Sequence, residues 1–259
     1  LIVRAQTLPP AAGWQWILGG FAIFRRNPVM LGMLVVAYWF TVLFLNIVPV
    51  IGVLLASLAI PGLSVGLMQA ARNVERGQPV GIQTLYGSLR DNARTLIALG
   101  ALYLCCTLGA LSLSSLVDGG ALLKFMLSNS RAERAMVEDA DFTLSALFIM
   151  LLMAPVLMAW WFAPVLAAWH RLGVGKALFF SFIACWMNWR PFLVYGLGLL
   201  IVAGILPGVL LGILLLVMPG AANLVTALVT MPMVLVIAPT IFASFYASYR
   251  DIFGISEIV

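Results

Sequence analysis

Four long stretches of the chain contain neither a charged residue nor a histidine: 29–71, 95–117, 142–169 and 192–249. A helix needs about 20 apolar residues to cross the hydrocarbon core of a bilayer. The first and last stretches have room for two such helices each, and they are interrupted near Asn46–Pro49 and Pro219–Gly220. The pattern therefore predicts six membrane spans. Their expected bounds are 29–47, 50–71, 95–117, 142–169, 192–217 and 221–249.

Composition agrees with this pattern. Hydrophobic residues make up 64% of the 259 residues and charged residues 9%, against about one half and about one quarter in soluble domains. A soluble fold of this length would leave much of that apolar surface facing water. We therefore expect an all-α membrane protein with a single polytopic domain over 1–259. The first apolar stretch follows a polar arm and has the length of a span, so we expect no cleavable signal there.

Lys and Arg are distributed unevenly around the predicted spans. Eleven of the 14 lie in the N-terminal arm, in 72–94, in 170–191 or at Arg250. The other three lie in 118–141, which also carries five acidic residues. Because cytoplasmic loops of membrane proteins are enriched in Lys and Arg, we predict that both termini are cytoplasmic. The net charge of +5 then reflects orientation, and we expect no nucleic-acid partner.

A short motif opens three of the predicted spans: FRRNPVMLG at 24–32, NARTLIALG at 92–100 and NWRPFLVYG at 188–196. In each copy an arginine precedes a glycine by six positions, and each copy follows a short amphipathic stretch. Such a stretch is typical of a helix that lies in the membrane interface. A proline fits the first turn of the following span, and the glycine would let another helix approach closely.

The second, fourth and sixth predicted spans also end alike. Each ends with a segment that runs from a proline inside the span to an arginine eleven or seven positions later: PGLSVGLMQAAR at 61–72, PVLAAWHR at 164–171 and PTIFASFYASYR at 239–250. Together with the opening motif, this ending predicts an internal repeat. We expect three pseudo-repeated hairpins, each preceded by an amphipathic interfacial helix. The repeat units are about 13–72, 81–171 and 175–250.

Three stretches carry a resemblance to a known family: GWQWILGGFAIFRRNP, PGLSVGLMQAARNVERGQPVG and GVGKALFFSFIACWMNWRPF. They resemble uncharacterised six-span proteins of the bacterial inner membrane, of the type common in betaproteobacteria. That family is distantly similar to the membrane domain of some glycerophosphodiester phosphodiesterases. The resemblance implies a multi-pass protein of the inner (plasma) membrane, and it supplies no catalytic motif.

The sequence offers few side chains for catalysis. The predicted spans contain no ionisable residue of the kind that ion-coupled transporters use. The single histidine, His170, stands beside Arg171 at a span end, where we interpret it as structural. Metal sites and Ser-His-Asp catalysis would need further partners, and no phosphate-binding glycine motif occurs. We therefore expect no enzymatic activity, no cofactor and no metal.

Two sets of residues are candidate contact sites. The arginines that open and close the units are explained by positive-inside anchoring, or alternatively by binding of anionic phospholipid headgroups on the cytoplasmic side. Small residues at helical spacing indicate close helix packing, either inside the chain or between two copies. The arginine set is Arg25, Arg26, Arg94, Arg190, Arg72, Arg171 and Arg250, and the glycine set is Gly204, Gly208, Gly212, Gly62 and Gly66.

Two functions are compatible with these features. The first, which we favour from sequence, is a non-enzymatic scaffold or subunit that packs against anionic lipids and a protein partner or second copy. The alternative is a carrier of lipids or other hydrophobic molecules, in which the proline-containing spans line a lateral cavity. An intramembrane cavity would favour the carrier, and a packed interior would favour the scaffold. We also predict a short helix within 119–135.

Overall fold

The computed structural model describes residues 4–48, 51–90, 92–118, 140–218, 220 and 222–254. The sequence prediction of a short helix within 119–135 lies outside these described residues. The helices are α1 (Ala12–Arg26), α2 (Pro28–Leu45), α3 (Ile51–Glu75), α4 (Ile82–Gly87), α5 (Ala93–Asp118), α6 (Ala140–Trp161), α7 (Ala163–His170), α8 (Val174–Met187), α9 (Trp189–Leu199), α10 (Leu206–Val217) and α11 (Ala222–Phe253), with a π-helical segment, Leu200–Ile205, between α9 and α10.

Six helical segments are long and apolar enough to cross a membrane: Pro28–Leu45, Ile51–Glu75, Ala93–Leu113, Leu147–Trp169, Trp189–Val217 and Thr226–Phe253. No β-strand occurs among the described residues. The prediction of an all-α protein with six spans is therefore confirmed. A separate helix precedes the first, third and fifth spans: α1, α4 and α8.

The fourth span is broken at Phe162, two residues before Pro164. A proline inside a helix leaves backbone groups of the preceding turn without partners. The hydroxyl of Ser181, on α8, bridges this break: it accepts from Phe162 N at 2.9 Å and donates to Met158 O at 2.9 Å. A buried serine from the next unit therefore supplies the missing hydrogen-bond partners of the backbone groups at the break.

The three short helices dock in a recurring way. Each packs against the even-numbered span of the preceding unit: α4 against α3, and α8 against α6 and α7. The first helix, α1, closes the ring by packing against α11, and it also contacts α9. Gly20 lets α1 approach closely, since a Cβ there would lie 2.6 Å from both Ser244 N and Thr240 O. The short helices thus bury one face in protein.

Buried side chains are concentrated at one end of the bundle. They belong to the start of α2, α5 and α9, the end of α3, α7 and α11, and the short helices. We call this the arginine end, because all the opening and closing arginines lie there. The other end, the distal half, comprises the described parts of 36–55, 102–157 and 200–236. Most of its large apolar side chains are exposed.

Candidate functional site

A cavity of about 480 Å³ lies between the second, third, fourth and sixth spans. All its lining residues belong to those spans, and the cavity is an open cleft. The second span contributes a row of residues around its proline, and the fourth contributes the residues around its break. The lining residues on these two spans are Ser57, Ile60, Pro61, Ser64, Val65, Met68, Leu157, Trp160, Trp161, Pro164 and Val165.

The remaining wall of this cavity is formed by Gly100 and Tyr103 on α5 and by Phe242 and Phe245 on α11. Gly100 is needed for the close approach of α5 to α3, because a Cβ there would lie 2.3 Å from Ser57 O. Among the described residues that line the cavity, the Tyr103 phenol is the one ionisable group. The site can therefore bind an apolar molecule, and its few polar groups are uncharged hydroxyls and indoles.

A second cleft, of about 500 Å³, lies on the other side of Trp161, between α6 and α9. Leu157 and Trp161 line both clefts and form their common wall. The Trp161 ring packs against Phe245 at a centroid distance of 4.6 Å and against Phe192 at 5.3 Å. Its indole nitrogen is buried and has no hydrogen-bond partner among the described residues.

Toward the arginine end, a polar and aromatic layer covers the cavity. The layer is formed by Arg72 on α3, Trp169 on α7 and Tyr249 on α11. Each of them lies four residues beyond a residue that lines the cavity, and therefore on the same face of its helix. Arg72 follows Met68, and its guanidinium lies 4.8 Å from the centroid of the Trp169 ring. Trp169 in turn meets the Tyr249 ring at 5.0 Å.

Glu75 connects the ends of α3 and α11. Its carboxylate forms an ion pair with Arg250 and accepts a hydrogen bond from the Tyr246 hydroxyl at 2.7 Å. Arg250 also pairs with Asp251 at 2.8 Å. The guanidinium of Arg26 donates to the backbone oxygen of Glu75 at 2.8 Å. Two of the predicted lipid-binding arginines, Arg26 and Arg250, therefore already have protein partners.

The other predicted arginines are mostly exposed and do not converge on one site. Arg25 lies 5.9 Å from the Phe21 ring, and Arg190 lies 5.4 Å from the Trp189 ring. Arg94 and Arg171 are also exposed, at the start of α5 and after the end of α7. Of the seven, Arg72 is the half-buried one that adjoins the cavity layer and makes no ion pair within the described residues.

The predicted packing glycines divide into two groups. A Cβ at Gly62 would lie 2.6 Å from a methyl carbon of Leu89, and one at Gly66 would lie 2.3 Å from Leu85 O. These two glycines thus allow α4 to approach α3. By contrast, Gly208 and Gly212 have open space around them, and Gly204 makes an ordinary contact with Leu200 of its own span. Among the described residues no other helix approaches Gly204, Gly208 or Gly212 closely, and a contact there between two copies stays a prediction.

The glycines of the opening motif behave unequally as well. Gly100 is closely approached, whereas a Cβ at Gly32 or Gly196 would have no neighbour within 4 Å among the described residues beyond its own helix. The expectation that each of the three allows a close helix approach is therefore wrong for two of them. In the third unit Gly198 is the tight position instead, against Ile17 and Trp14 at 2.6 Å and 3.1 Å.

Sequence reasoning missed the asparagines of the opening motif. Asn188 is fully buried; its amide donates to Gln6 O and Ala184 O, and its oxygen accepts from Leu8 N at 2.9 Å. Asn92, at the matching position, donates to Ala167 O and Leu172 O. The signal was present, since an asparagine stands beside or two positions before the arginine in all three copies.

His170 lies outside the spans, beside the polar and aromatic layer that contains Arg72 and Tyr249. Its Nε2 is 2.6 Å from the Tyr249 hydroxyl, and its Nδ1 is buried without a partner among the described residues. Partial burial, with a smaller contribution from Arg72, lowers the pKa of His170 below its ordinary value. Among the described residues, no group of His, Cys, Asp or Glu is placed to hold a metal ion.

Over 251 residues the chain is 38% identical to a probable inner membrane protein of Burkholderia thailandensis, in a match that covers 95% of this chain and 92% of the relative. No family model and no solved structure matches the chain. The distant likeness to the membrane domain of glycerophosphodiester phosphodiesterases gains no support and stays a prediction. At this identity and coverage the chain belongs to the family of that inner-membrane protein.

Proposed function

We propose that this inner-membrane protein is a non-enzymatic carrier that takes up an acyl chain of a lipid, or a comparable hydrophobic molecule, from the bilayer. The observation that carries the proposal is the apolar cavity of about 480 Å³ between four of the six spans. From sequence, a cavity was the feature that would favour a carrier over a scaffold. The geometry therefore favours the alternative that the sequence ranked second.

Three properties of the cavity support a lipid as its occupant. Its walls lie within the spans, where the surrounding solvent is lipid and an acyl chain is the most abundant apolar molecule. Its volume falls within the range of about 300–1,000 Å³ that ligand pockets occupy. It is open at one side, where the exposed side chains of Ile60 and Leu157 belong to its lining.

The break in the fourth span fits the same role, whereas the second span stays helical through its proline. Pro61 and Pro164 both line the cavity, on the second and fourth spans. In transporters, discontinuous helices with proline or glycine line substrate cavities near the membrane midplane. We propose in addition that both termini are cytoplasmic, so that the arginine end faces the anionic cytoplasmic leaflet. Reporter fusions after Phe253 and within 118–141 should then report opposite sides, and equal sidedness would contradict this orientation.

The carrier proposal is tested by filling the cavity. Ser64 lines the cavity, and its hydroxyl donates to Ile60 O at 2.8 Å. We expect Ser64→Phe to reduce labelling by a photoactivatable acyl lipid at least about fivefold, because the ring would occupy the space of the chain. Ser112→Phe is the matched control, since Ser112 is exposed on α5 and makes the same kind of bond, to Leu108 O.

Mapping the labelled residues decides the outcome. Labels concentrated on the cavity-lining parts of α3, α6 and α7 in the parent protein, and lost in Ser64→Phe, would support the carrier. Labels spread evenly over the exposed faces, and unchanged in Ser64→Phe, would contradict it. Lipid at the exposed faces alone is what any membrane protein shows.

A scaffold or subunit role is the second candidate, and one observation favours it. The open face around Gly208 and Gly212 has no close neighbour within the described chain, although glycines at this spacing commonly mark helix contacts. Gly208→Cys, in a background with Ser at Cys105, Cys106 and Cys185, should form a cross-linked dimer if two copies meet there. A strictly monomeric product in native membranes would argue against contact at this face.

A further inference from the structure

We infer that Arg72 binds the phosphate of an anionic lipid headgroup whose acyl chain occupies the cavity between the second, third, fourth and sixth spans. This inference rests on the proposed carrier function and adds the class of lipid. It also narrows the seven arginines considered from sequence to one residue. The shared chemistry is that of a phosphate oxyanion, which a guanidinium can bind through two parallel hydrogen bonds.

The position of Arg72 is the first step. It lies one helical turn beyond Met68, a cavity-lining residue, on the same face of α3. Trp169 has the same relation to Val165 on α7. A lipid with its chain in the cavity and its headgroup toward the arginine end would therefore place the phosphate at the level of Arg72.

The missing partner of Arg72 is the second step. A guanidinium has five N–H donors and is costly to bury without acceptors. Arg72 is half-buried, yet among the described residues it makes no hydrogen bond or ion pair. The carboxylate on the next turn, Glu75, is already engaged by Arg250 and Tyr246.

The local charge is the third step. Arg76 follows Arg72 by four positions and adds a second positive charge to the end of the second span. His170 also lies close; burial and Arg72 lower its pKa, and an imidazole supplies no negative charge to Arg72. Positive charge whose neighbouring carboxylate is already paired attracts an anion from the membrane surface. The Trp169 ring holds one face of the guanidinium by a cation–π contact, which leaves its N–H edges for oxygen acceptors.

The experiment compares two photoactivatable lipids with the same chains, the anionic phosphatidylglycerol and the neutral diacylglycerol, in nanodiscs that hold the intact chain. We expect the parent protein to be labelled in the cavity about tenfold more strongly by the anionic lipid, a preference that corresponds to about 1.4 kcal/mol. Arg72→Gln should lower that labelling to the level of the neutral lipid. Arg90→Gln is the charge-matched control, because Arg90 is exposed, and it should leave the preference unchanged.

Each outcome separates this inference from the carrier proposal. Equal cavity labelling by both lipids, or a preference that survives Arg72→Gln, would overturn the role of Arg72 and leave the carrier intact. Cavity labelling by neither lipid would overturn both. If inorganic phosphate displaced the anionic lipid at equal concentration, the site would bind a free anion and the assignment to a lipid would be wrong.

Arg72→Lys keeps the inference testable if Arg72→Gln does not fold. Lysine retains the positive charge but binds phosphate as a point charge without the planar fork. We expect Arg72→Lys to keep part of the preference for phosphatidylglycerol. That preference should be weaker than in the parent protein and in Arg90→Gln, but still measurable. A lysine variant that folds and shows no preference change at all would assign the effect to bulk charge and not to the guanidinium site.

Discussion

The arginine end and the distal half of this protein are built from the same helices but packed differently. At the arginine end, short helices, span ends and the N-terminal arm interlock around buried rings such as Trp16 and Phe162, both fully buried. In the distal half, side chains such as Phe44 and Leu216 are largely exposed, at 73% and 83%. The fifth span shows the extreme, since none of its most apolar window is buried.

This difference follows from the solvent. In water an exposed leucine costs free energy, whereas in a bilayer the lipid chains are as apolar as the leucine, and packing of spans relies on close fit and hydrogen bonds. Close contacts through glycine and asparagine predominate at the arginine end, and one of them, at Gly100, borders the cavity. Substitutions should therefore be costly at the arginine end and mild in the distal half, whose exposed apolar faces stay free to contact other molecules.

The largest expected effect comes from adding one methyl group at the arginine end. In Gly66→Ala the new Cβ would lie 2.3 Å from Leu85 O and 2.8 Å from its Cα, both backbone atoms. We expect the free energy of unfolding in detergent to fall by about 3 kcal/mol. Gly208→Ala is the matched distal change, into open space, and should be neutral or stabilising by up to about 1 kcal/mol. Equal losses in both variants would remove the contrast between the two regions.

The fold was largely predictable, because helices that cross a lipid bilayer need long stretches without charged residues, and such stretches are visible in the sequence. The six predicted spans agree with the structure, including the interruptions near Asn46–Pro49 and Pro219–Gly220, which separate α2 from α3 and α10 from α11. What the pattern could not reveal is the partner of each short helix. The apolar face of α1 is compatible with lipid or protein, and only tertiary contact assigns Trp16 to the Phe192 and Tyr195 rings.

The candidate site was predictable in part. Prolines in the even-numbered spans suggested a possible cavity, and Pro61 and Pro164 indeed line it. The arginines were visible as a set, but no feature of the sequence ranked one of them above the others as a lipid-binding residue. Their difference depends on where the acids lie after folding: Glu75 stands only three positions after Arg72 in sequence, yet it pairs with Arg250, 175 positions away. Long-range pairing of this kind leaves no local pattern.

The second expected effect compares two asparagines. Asn188 is fully buried at the arginine end and holds the N-terminal arm through Gln6 and Leu8. Asn188→Ala leaves these backbone groups unpaired, so we expect a loss of about 2 kcal/mol in unfolding free energy and faster proteolysis of residues 4–11. Asn46→Ala removes an exposed distal amide that bonds to Val42 O and should change stability by less than about 0.5 kcal/mol. An arm that stays protected in Asn188→Ala would contradict the anchoring role.

A smaller effect is expected at the ion pair that joins α3 and α11. The side chains of Arg250 and Glu75 are still 28% and 21% exposed, so screening limits their interaction, and Arg250 retains Asp251 when Glu75 is changed. We expect Glu75→Gln to cost about 1 kcal/mol. A double-mutant cycle with Arg250→Gln isolates the pair. A coupling energy of zero would mean that the arginine end is stabilised by apolar packing and by the uncharged hydrogen bonds alone.

The smallest expected effect is a pH dependence confined to the arginine end. Burial and Arg72 lower the pKa of His170 below its ordinary value of about 6.5. The unfolded chain therefore binds a proton more readily than the folded one in this range, so stability should be lost as the pH falls from about 7.5 to about 5.5. The loss should amount to a few tenths of a kcal/mol, because the imidazole is only half-buried. His170→Gln keeps a polar group near the Tyr249 hydroxyl but cannot titrate, so its melting temperature should fall less over the same interval. If the parent and His170→Gln lost stability in parallel, the pH dependence would belong to other groups and the polar layer over the cavity would not sense protons.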